Sequence, residues 1–242
     1  MNGFLILTFL FSVGSMTGWV LEVFYRRFVS QKHWVNPGFL VGPCLPIYGF
    51  SLCILYLLAS FEDQIHISDG RLRKLVLFIL MGITVTALEY TVGKIMITVE
   101  HVRLWDYSMC FGNIEGIICP QYSVYWMLLS AVYYFCIHPS ILDALIWLSQ
   151  NLAFSFAIGF FYGILVIDFT YSAQLMRKMR KYADEHRIVI RLEALREEIN
   201  YHLQQRKPRF ILSMKSEKPF RELLEDYYNK MQETFKKYTD KK

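Results

Sequence analysis

Apolar runs dominate residues 1–170, and their lengths predict helices that cross a bilayer. A span through about 30 Å of hydrocarbon needs roughly 20 mainly apolar residues. Five segments meet or approach that length: Phe4 to Tyr25, about Phe39 to Phe61, about Leu75 to Met96, about Tyr122 to Ile137, and Ala144 to Ile167. His138-Pro139 and Asp143 predict the turn between the last two. The expected fold is therefore all-α. A polytopic membrane helical bundle of about five spans fills 1–170, and a helical cytoplasmic tail fills 171–242.

The second run begins irregularly. Asn36-Pro37-Gly38 breaks the chain, and Gly42-Pro43 and Pro46-Ile47-Tyr48-Gly49 crowd the lead-in to the next helix. Proline has no N–H to donate, and glycine is costly in a helix interior. Freed carbonyls at membrane depth must be met by protein or water. Residues 36–49 are thus read as a broken-helix segment, either lining a polar path as in many transporters or building a tight re-entrant bend.

Charge divides the chain. Residues 1–170 hold eight Lys/Arg and ten Asp/Glu, whereas residues 171–242 hold eighteen and eleven. Lys and Arg concentrate on cytoplasmic loops. The tail, beginning Arg177, Lys178, Arg180 and Lys181, is thereby predicted cytoplasmic, and five spans put the N-terminus outside. Arg26, Arg27 and Lys32 in the first loop agree with this. Arg71, Arg73 and Lys74 in the second loop oppose it. The first run is read as a retained span, not a cleaved signal, because no basic region precedes it.

Two carboxylates interrupt the apolar runs. Gly14, Gly18 and Glu22 recur every four residues and share one helix face, where small residues let a neighbouring helix approach. Gly82, Thr86, Glu89 and Gly93 do the same in the third run. Charges inside spans usually face a bundle interior or a water-filled cavity. The plainer readings are that Glu22 pairs with Arg26, one turn on, and that Glu89 pairs with Lys94 or a neighbouring helix. On the predicted topology Glu22, Asn36 and Glu89 lie toward the same cytoplasmic side, with the loop 97–121. That loop combines Trp105, Asp106, Asn113 and Glu115 with Leu104, Met109, Phe111, Ile114, Ile117 and Ile118. It is too apolar to be freely solvated and is expected to pack back on the bundle. Trp105 and Trp126 also suit interface anchors.

The five cysteines form no CxxC pair and no zinc-ligand spacing with histidine, so free packed thiols are expected. No Walker GxxxxGK[ST], GxGxxG, HExxH or GxSxG motif is present.

Taken in order, Gly18-Trp19, Glu22 and Tyr25, then Asn36-Pro37-Gly38-Phe39-Leu40, Gly42-Pro43 and Pro46-Ile47-Tyr48-Gly49, then Glu89-Tyr90, Trp105-Asp106-Tyr107-Ser108, Asn113, Gly116, Ser123 and Trp126 form a specific series. The series resembles the family described as putative ABC-transporter type IV permeases, over about residues 10–130. The resemblance implies a multi-span membrane protein. It marks Trp19, Glu22, Asn36, Gly38, Gly42, Pro43, Pro46, Tyr48, Gly49, Glu89, Trp105, Asp106, Asn113 and Gly116 as signature positions. The chain departs from the pattern at Ile117 and Ile118, where a basic residue often stands, and at Met127, where glycine often follows the tryptophan.

The leading expectation is a permease-like subunit with a cytoplasm-facing polar cavity. Trp19, Glu22, Asn36, Tyr48, Glu89, Trp105, Asp106, Asn113 and Glu115 would line it, and Gly38, Gly42, Pro43, Pro46, Gly49 and Gly116 would shape the backbone. No cofactor is implied. The partners would be membrane lipid and either a separate ATPase subunit or a second copy, with no nucleic acid. One alternative is a membrane scaffold or sensor signalling through the basic tail. The other is a membrane enzyme in which Glu22, Glu89, Asp106 and Glu115 hold a divalent cation or one acts as general base; enzymatic activity is the lesser expectation. In the tail, Ile188, Leu192, Leu195 and Ile199 form a seam in a helix running from Tyr171 to about Gln205, broken by Pro208. Ser216 and Pro219 open a second helix, whose stripe of Phe220, Leu224, Tyr227, Met231, Phe235 and Tyr238 suits an acidic leaflet or a partner.

Overall fold

The computed structural model describes residues 2–32, 34–196 and 220–239. Helix α1 spans Gly3–Tyr25, with the Asn2 carboxamide capping the Phe4 amide at 3.2 Å. It continues as a wider π-helical turn, Arg26–Ser30. Residues 34–45 are irregular. Helix α2 then runs Pro46–Ser60 with proline in its first turn, where no N–H is needed. Helix α3, Gly70–Val99, opens on the Asp69 carboxylate, which accepts from the Arg71 amide at 2.8 Å. Strand β1, Val102–Arg103, and the loop 104–119 lead into α4, Pro120–Val132. A π-helical turn, Tyr133–Ile137, joins α4 to α5, His138–Gln150. Helix α6 spans Ser155–His186, β2 spans Ile190–Arg191, and α7 spans Phe220–Thr239.

Among the described residues, four helical units are by length and composition long and apolar enough to cross a membrane: Gly3–Ser30, Gly70–Val99, Pro120–Gln150 and Ser155–His186. Two of the expected spans change. The second apolar run is helical only from Pro46, and its 15 residues reach about 22 Å at 1.5 Å per residue, short of the hydrocarbon thickness. The expected turn at His138-Pro139 does not occur, and the fourth and fifth runs divide at Asn151 instead. Proline normally breaks the i to i−4 ladder. Here the π-helical turn absorbs it, with the His138 N–H reaching the Tyr133 carbonyl, and the helix carries on to Gln150.

Close approach of α1 to α2 depends on glycine. A Cβ on Gly18 would fall 2.2 Å from Cβ and Cγ of Tyr48, and one on Gly49 would fall 2.2 Å from Oγ of Ser15. Around this seam lies one apolar core, formed by Leu10, Leu55, Leu77, Met81, Val85, Tyr133 and Leu145.

A second core lies at the end of the bundle where α1 and α3 finish. It joins Val102 to Leu175, Met179 and Tyr182 of α6, to Ile190, Leu192 and Leu195, and to Leu224 and Tyr227 of α7. Both tail expectations change here. Helix α6 runs unbroken past residue 170 but stops at Arg187, whose φ of 54° is left-handed. The seam residues Leu192 and Leu195 are buried within this chain. The inner part of the α7 stripe, Phe220, Leu224 and Tyr227, is occupied by α6 and β2, so it is not free for a leaflet or partner. Ile199, Pro208, Ser216, Pro219 and the side chains of Phe235 and Tyr238 lie outside the described residues. The five cysteines are free; Cys44 and Cys119 are buried, whereas Cys136 is exposed rather than packed.

Candidate functional site

Each of the two helix carboxylates is met by a tyrosine hydroxyl. On the glycine face of α1, Glu22 takes Arg26 Nε on Oε1 at 3.0 Å and the Tyr48 hydroxyl on Oε2 at 3.0 Å. The glycine at position 18 is what lets the Tyr48 ring pass. Arg26 then reaches Glu193 with Nη1 at 2.8 Å. Glu22 thus pairs with Arg26 one turn on, and Tyr48 is a further partner that sequence spacing did not reveal.

Glu89 sits in α3 at 3% exposure. The Tyr107 hydroxyl donates to Oε1 at 3.1 Å, and the Trp126 side chain also reaches the carboxylate. Lys94, the expected partner, turns outward to Glu115 at 2.6 Å. Tyr107 reaches this depth because its loop folds back along α3. Trp105 bonds the Ile117 carbonyl at 2.8 Å, and both side chains lie against Gly93. The Tyr107 ring stacks on Tyr122 at 4.0 Å and 8°. The Tyr122 and Tyr25 hydroxyls lie 3.2 Å apart, and Tyr48 packs on Trp126 at 5.1 Å. Burial, then the charges of Glu89 and Glu22, push the Tyr107 phenol far above its ordinary pKa. Tyr107 therefore stays protonated and feels both carboxylates.

The remaining predicted positions divide into two groups. In the first, Trp19 Nε1 donates to Asn36 Oδ1 at 2.6 Å, and the Asn36 amide donates to the Leu40 and Val41 carbonyls at 3.1 and 2.9 Å. Asn36 is 3% exposed and folds the loop that Gly38 turns with a φ of +73°. Asp168 of α6 clamps the same loop, accepting the Val41 and Gly42 amides at 2.9 Å each and the Ser172 hydroxyl at 3.2 Å. Bonds from amides to a charged carboxylate are among the stronger ones. Pro43 follows this clamp. The Leu45 amide then bonds the Ser15 carbonyl at 3.0 Å, which seats Pro46 at the start of α2.

The second group belongs to the loop itself. Asp106 faces Arg103 and Arg191, each at 3.3 Å, and accepts the Ser108 amide at 3.1 Å. Against the upward pull of burial, Ser108 and the two guanidinium charges hold Asp106 below the usual carboxylate range. Asn113 bonds the Ser108 and Cys110 carbonyls and the Gly116 amide. Glu115 and Gly116 take left-handed φ values of 53° and 67°. Arg103 reaches the Glu115 carbonyl at 3.0 Å, so this turn has a basic side chain beside it although Ile117 and Ile118 stand where one often follows. Met127, the other departure, packs against Gly82.

Glu22, Glu89, Asp106 and Glu115 thus each take different partners. Among the described residues no group of three or more His, Cys, Asp and Glu side chains is placed to hold a metal. The arrangement that exists is two helix carboxylates, each met by its own phenol, beside a loop clamped by Asp168. Glu193, Arg103, Tyr122 and Arg196 were not picked out from sequence, and Asp168 only as the polar residue that ends the fifth run on the cytoplasmic side. Asp168 carried the one usable signal, a lone carboxylate within an apolar helix, as Glu22 and Glu89 are.

Helices of spanning length, sparse sheet and carboxylates buried between helices define an all-α membrane-helical protein. The model of the family described as "Putative ABC-transporter type IV" matches residues 9–173, and the chain belongs to that family. No protein of curated function and no solved structure matches it.

Proposed function

We propose that this chain is a membrane permease subunit whose polar path passes the Glu22–Glu89 pair. The observation that carries this reading is Glu89: a carboxylate almost fully buried between apolar helices, met by the Tyr107 hydroxyl and the Trp126 side chain and close enough to feel the charge of Glu22. Burying such a group costs stability unless it is paired or hydrogen-bonded. A second site for a charged or polar substrate is what that cost would retain.

The irregular 34–45 segment would form the wall of the path, with Trp19, Asn36 and Tyr48 along it. Trp105, Asp106, Asn113 and Glu115 would hold the adjoining loop in shape. The basic residues of the first loop and the tail lie at one end of the bundle, which supports a cytoplasmic face for that end and an N-terminus outside. Four long helices are few for a complete path. The chain would therefore act with a second copy or with a separate ATPase subunit, as the family's description supports.

The test is purification of the full chain from its native membrane in mild detergent, followed by ATP turnover of the product in liposomes. A stoichiometric ATPase partner whose turnover falls about five-fold with Glu89→Gln, ~1 kcal/mol of lost transition-state stabilisation, is the expected result. A chain that carries no ATPase, or a turnover indifferent to Glu89→Gln in an intact assembly, overturns the proposal.

The scaffold or sensor reading has one observation of its own. Tail residues Glu193 and Arg191 ion-pair with the first loop's Arg26 and the motif loop's Asp106. It predicts that tail truncation has a larger effect than neutralising either glutamate.

A further inference from the structure

The family match ends at residue 173, yet residues 188–196 make close polar contacts with both motif loops. Arg196 is 8% exposed. It donates from Nη1 to the Asn36 carbonyl and from Nη2 to the Gly38 carbonyl. Glu193 holds Arg26, the same guanidinium that holds Glu22. Arg191 holds Asp106. The Ile190 amide bonds the His101 carbonyl at 3.0 Å, and β2 pairs in parallel with β1, Val102 opposite Ile190. Leu192 and Leu195 bury their side chains behind these contacts.

We propose that residues 188–196 are a latch that holds the 34–45 loop closed over the Glu22 end of the bundle, and that displacing the latch opens this loop. Two features make it releasable. Its grip on the loop is polar, so on release water takes over each bond. Its central group is also poorly compensated. Arg196 meets carbonyls rather than a carboxylate, and its Nε has no partner among the described residues. Burial, and then the neighbouring Arg26 charge, lower its pKa to about 10. The Asp168 clamp contrasts with this, because it anchors the other side of the loop from within α6 and stays when the tail leaves.

What the opening exposes rests on the permease reading; the closure itself does not. The test uses Val35→Cys, at a position 8% exposed beside the latched Asn36, and native Cys53 within α2, whose thiol faces the Leu7 carbonyl of α1. Two full-length backgrounds each keep one of these cysteines, with the other native cysteines replaced by serine, and are placed in lipid nanodiscs. Maleimide labelling is then timed with and without Arg196→Gln plus Glu193→Gln. Labelling at position 35 is expected to rise about tenfold, as closure weakens by ~1.4 kcal/mol, while Cys53 keeps its rate. Equal rises at both positions would mean general loosening and would overturn the latch, as would no change at position 35. The ATP-turnover experiment does not read the latch, so failure of either reading is seen separately.

Discussion

Replacing Asp168 by alanine isolates the clamp on the broken-helix loop. The carboxylate accepts two backbone amides at 2.9 Å, from Val41 and Gly42, and the Ser172 hydroxyl at 3.2 Å. Hydrogen bonds to a charged group contribute about 1.5–3 kcal/mol each in favourable settings. Asp168 is half-buried and the three bonds share one acceptor, so the sum is not additive. A loss of ~3 kcal/mol is the reasoned figure, which lowers the melting temperature by about 6–12 °C for a chain of this length. Asp168→Asn keeps an oxygen for one amide but presents an N–H₂ group to the other, so it should lie between wild type and alanine. Intrinsic-fluorescence melting in nanodiscs measures both. The distinguishing result is local: with Asp168→Ala, hydrogen exchange should rise at 40–45 well before it rises in α3. A melting temperature within ~1 °C of wild type, or exchange that rises everywhere together, would refute the idea that this residue shapes the loop.

Other outcomes follow from the same geometry. Gly18→Ala places a methyl where the Tyr48 ring passes, and overpacking of this kind costs about 1–3 kcal/mol; melting measures it, and Tyr48→Ala in the same chain should relieve most of the clash. Tyr107→Phe removes the hydroxyl that Glu89 accepts and should cost about 1–3 kcal/mol, because a buried acceptor loses its donor; Tyr122→Phe, which leaves that bond intact, should cost less in the same melting assay. Folding lowers the Asp106 pKa, so its contribution is present above the ordinary carboxylate range, about 4, and is lost as pH falls through the lower folded-state value. The protection of 102–118 against hydrogen exchange, corrected for the intrinsic pH dependence of exchange, should therefore fall between pH ~5 and pH ~2, and Arg191→Gln should flatten that fall. Lys94→Gln should leave melting unchanged, since the Lys94–Glu115 pair is largely exposed to solvent.

The carboxylates in apolar helices were legible in sequence because a charge at that depth is costly wherever it sits. Face spacing put Glu22 beside glycines and Glu89 beside glycines, and both faces do contact neighbours. The partners were not legible. Tyr107 reaches Glu89 only because its loop folds back along α3, and no local pattern encodes that path. Asn36 meets Trp19 across a break that propensity marks as irregular without saying where it leads. Pro139 signalled a turn that a single wide helical turn cancelled. Arg196 lies in a charged run where any arginine looks solvated, so its buried role rests entirely on tertiary contact. The apolar stripe of α7 is visible in sequence, but the face that covers it, Leu175, Met179 and Tyr182 of α6, lies in the stretch that reads as charged tail.

The contacts made by Arg196 also set an order of events during synthesis. Asn36 and Gly38 leave the ribosome 160 and 158 residues before the side chain that covers their carbonyls. At ordinary elongation rates that interval is about 10–30 s. Through that period every helix from α1 to α6 can insert and pack while the loop ahead of α2 still has unmet carbonyls. The last part of the motif end to be completed is thus among the first to be made, and a chain that stalls before residue 196 would be an assembled bundle with its oldest loop still open.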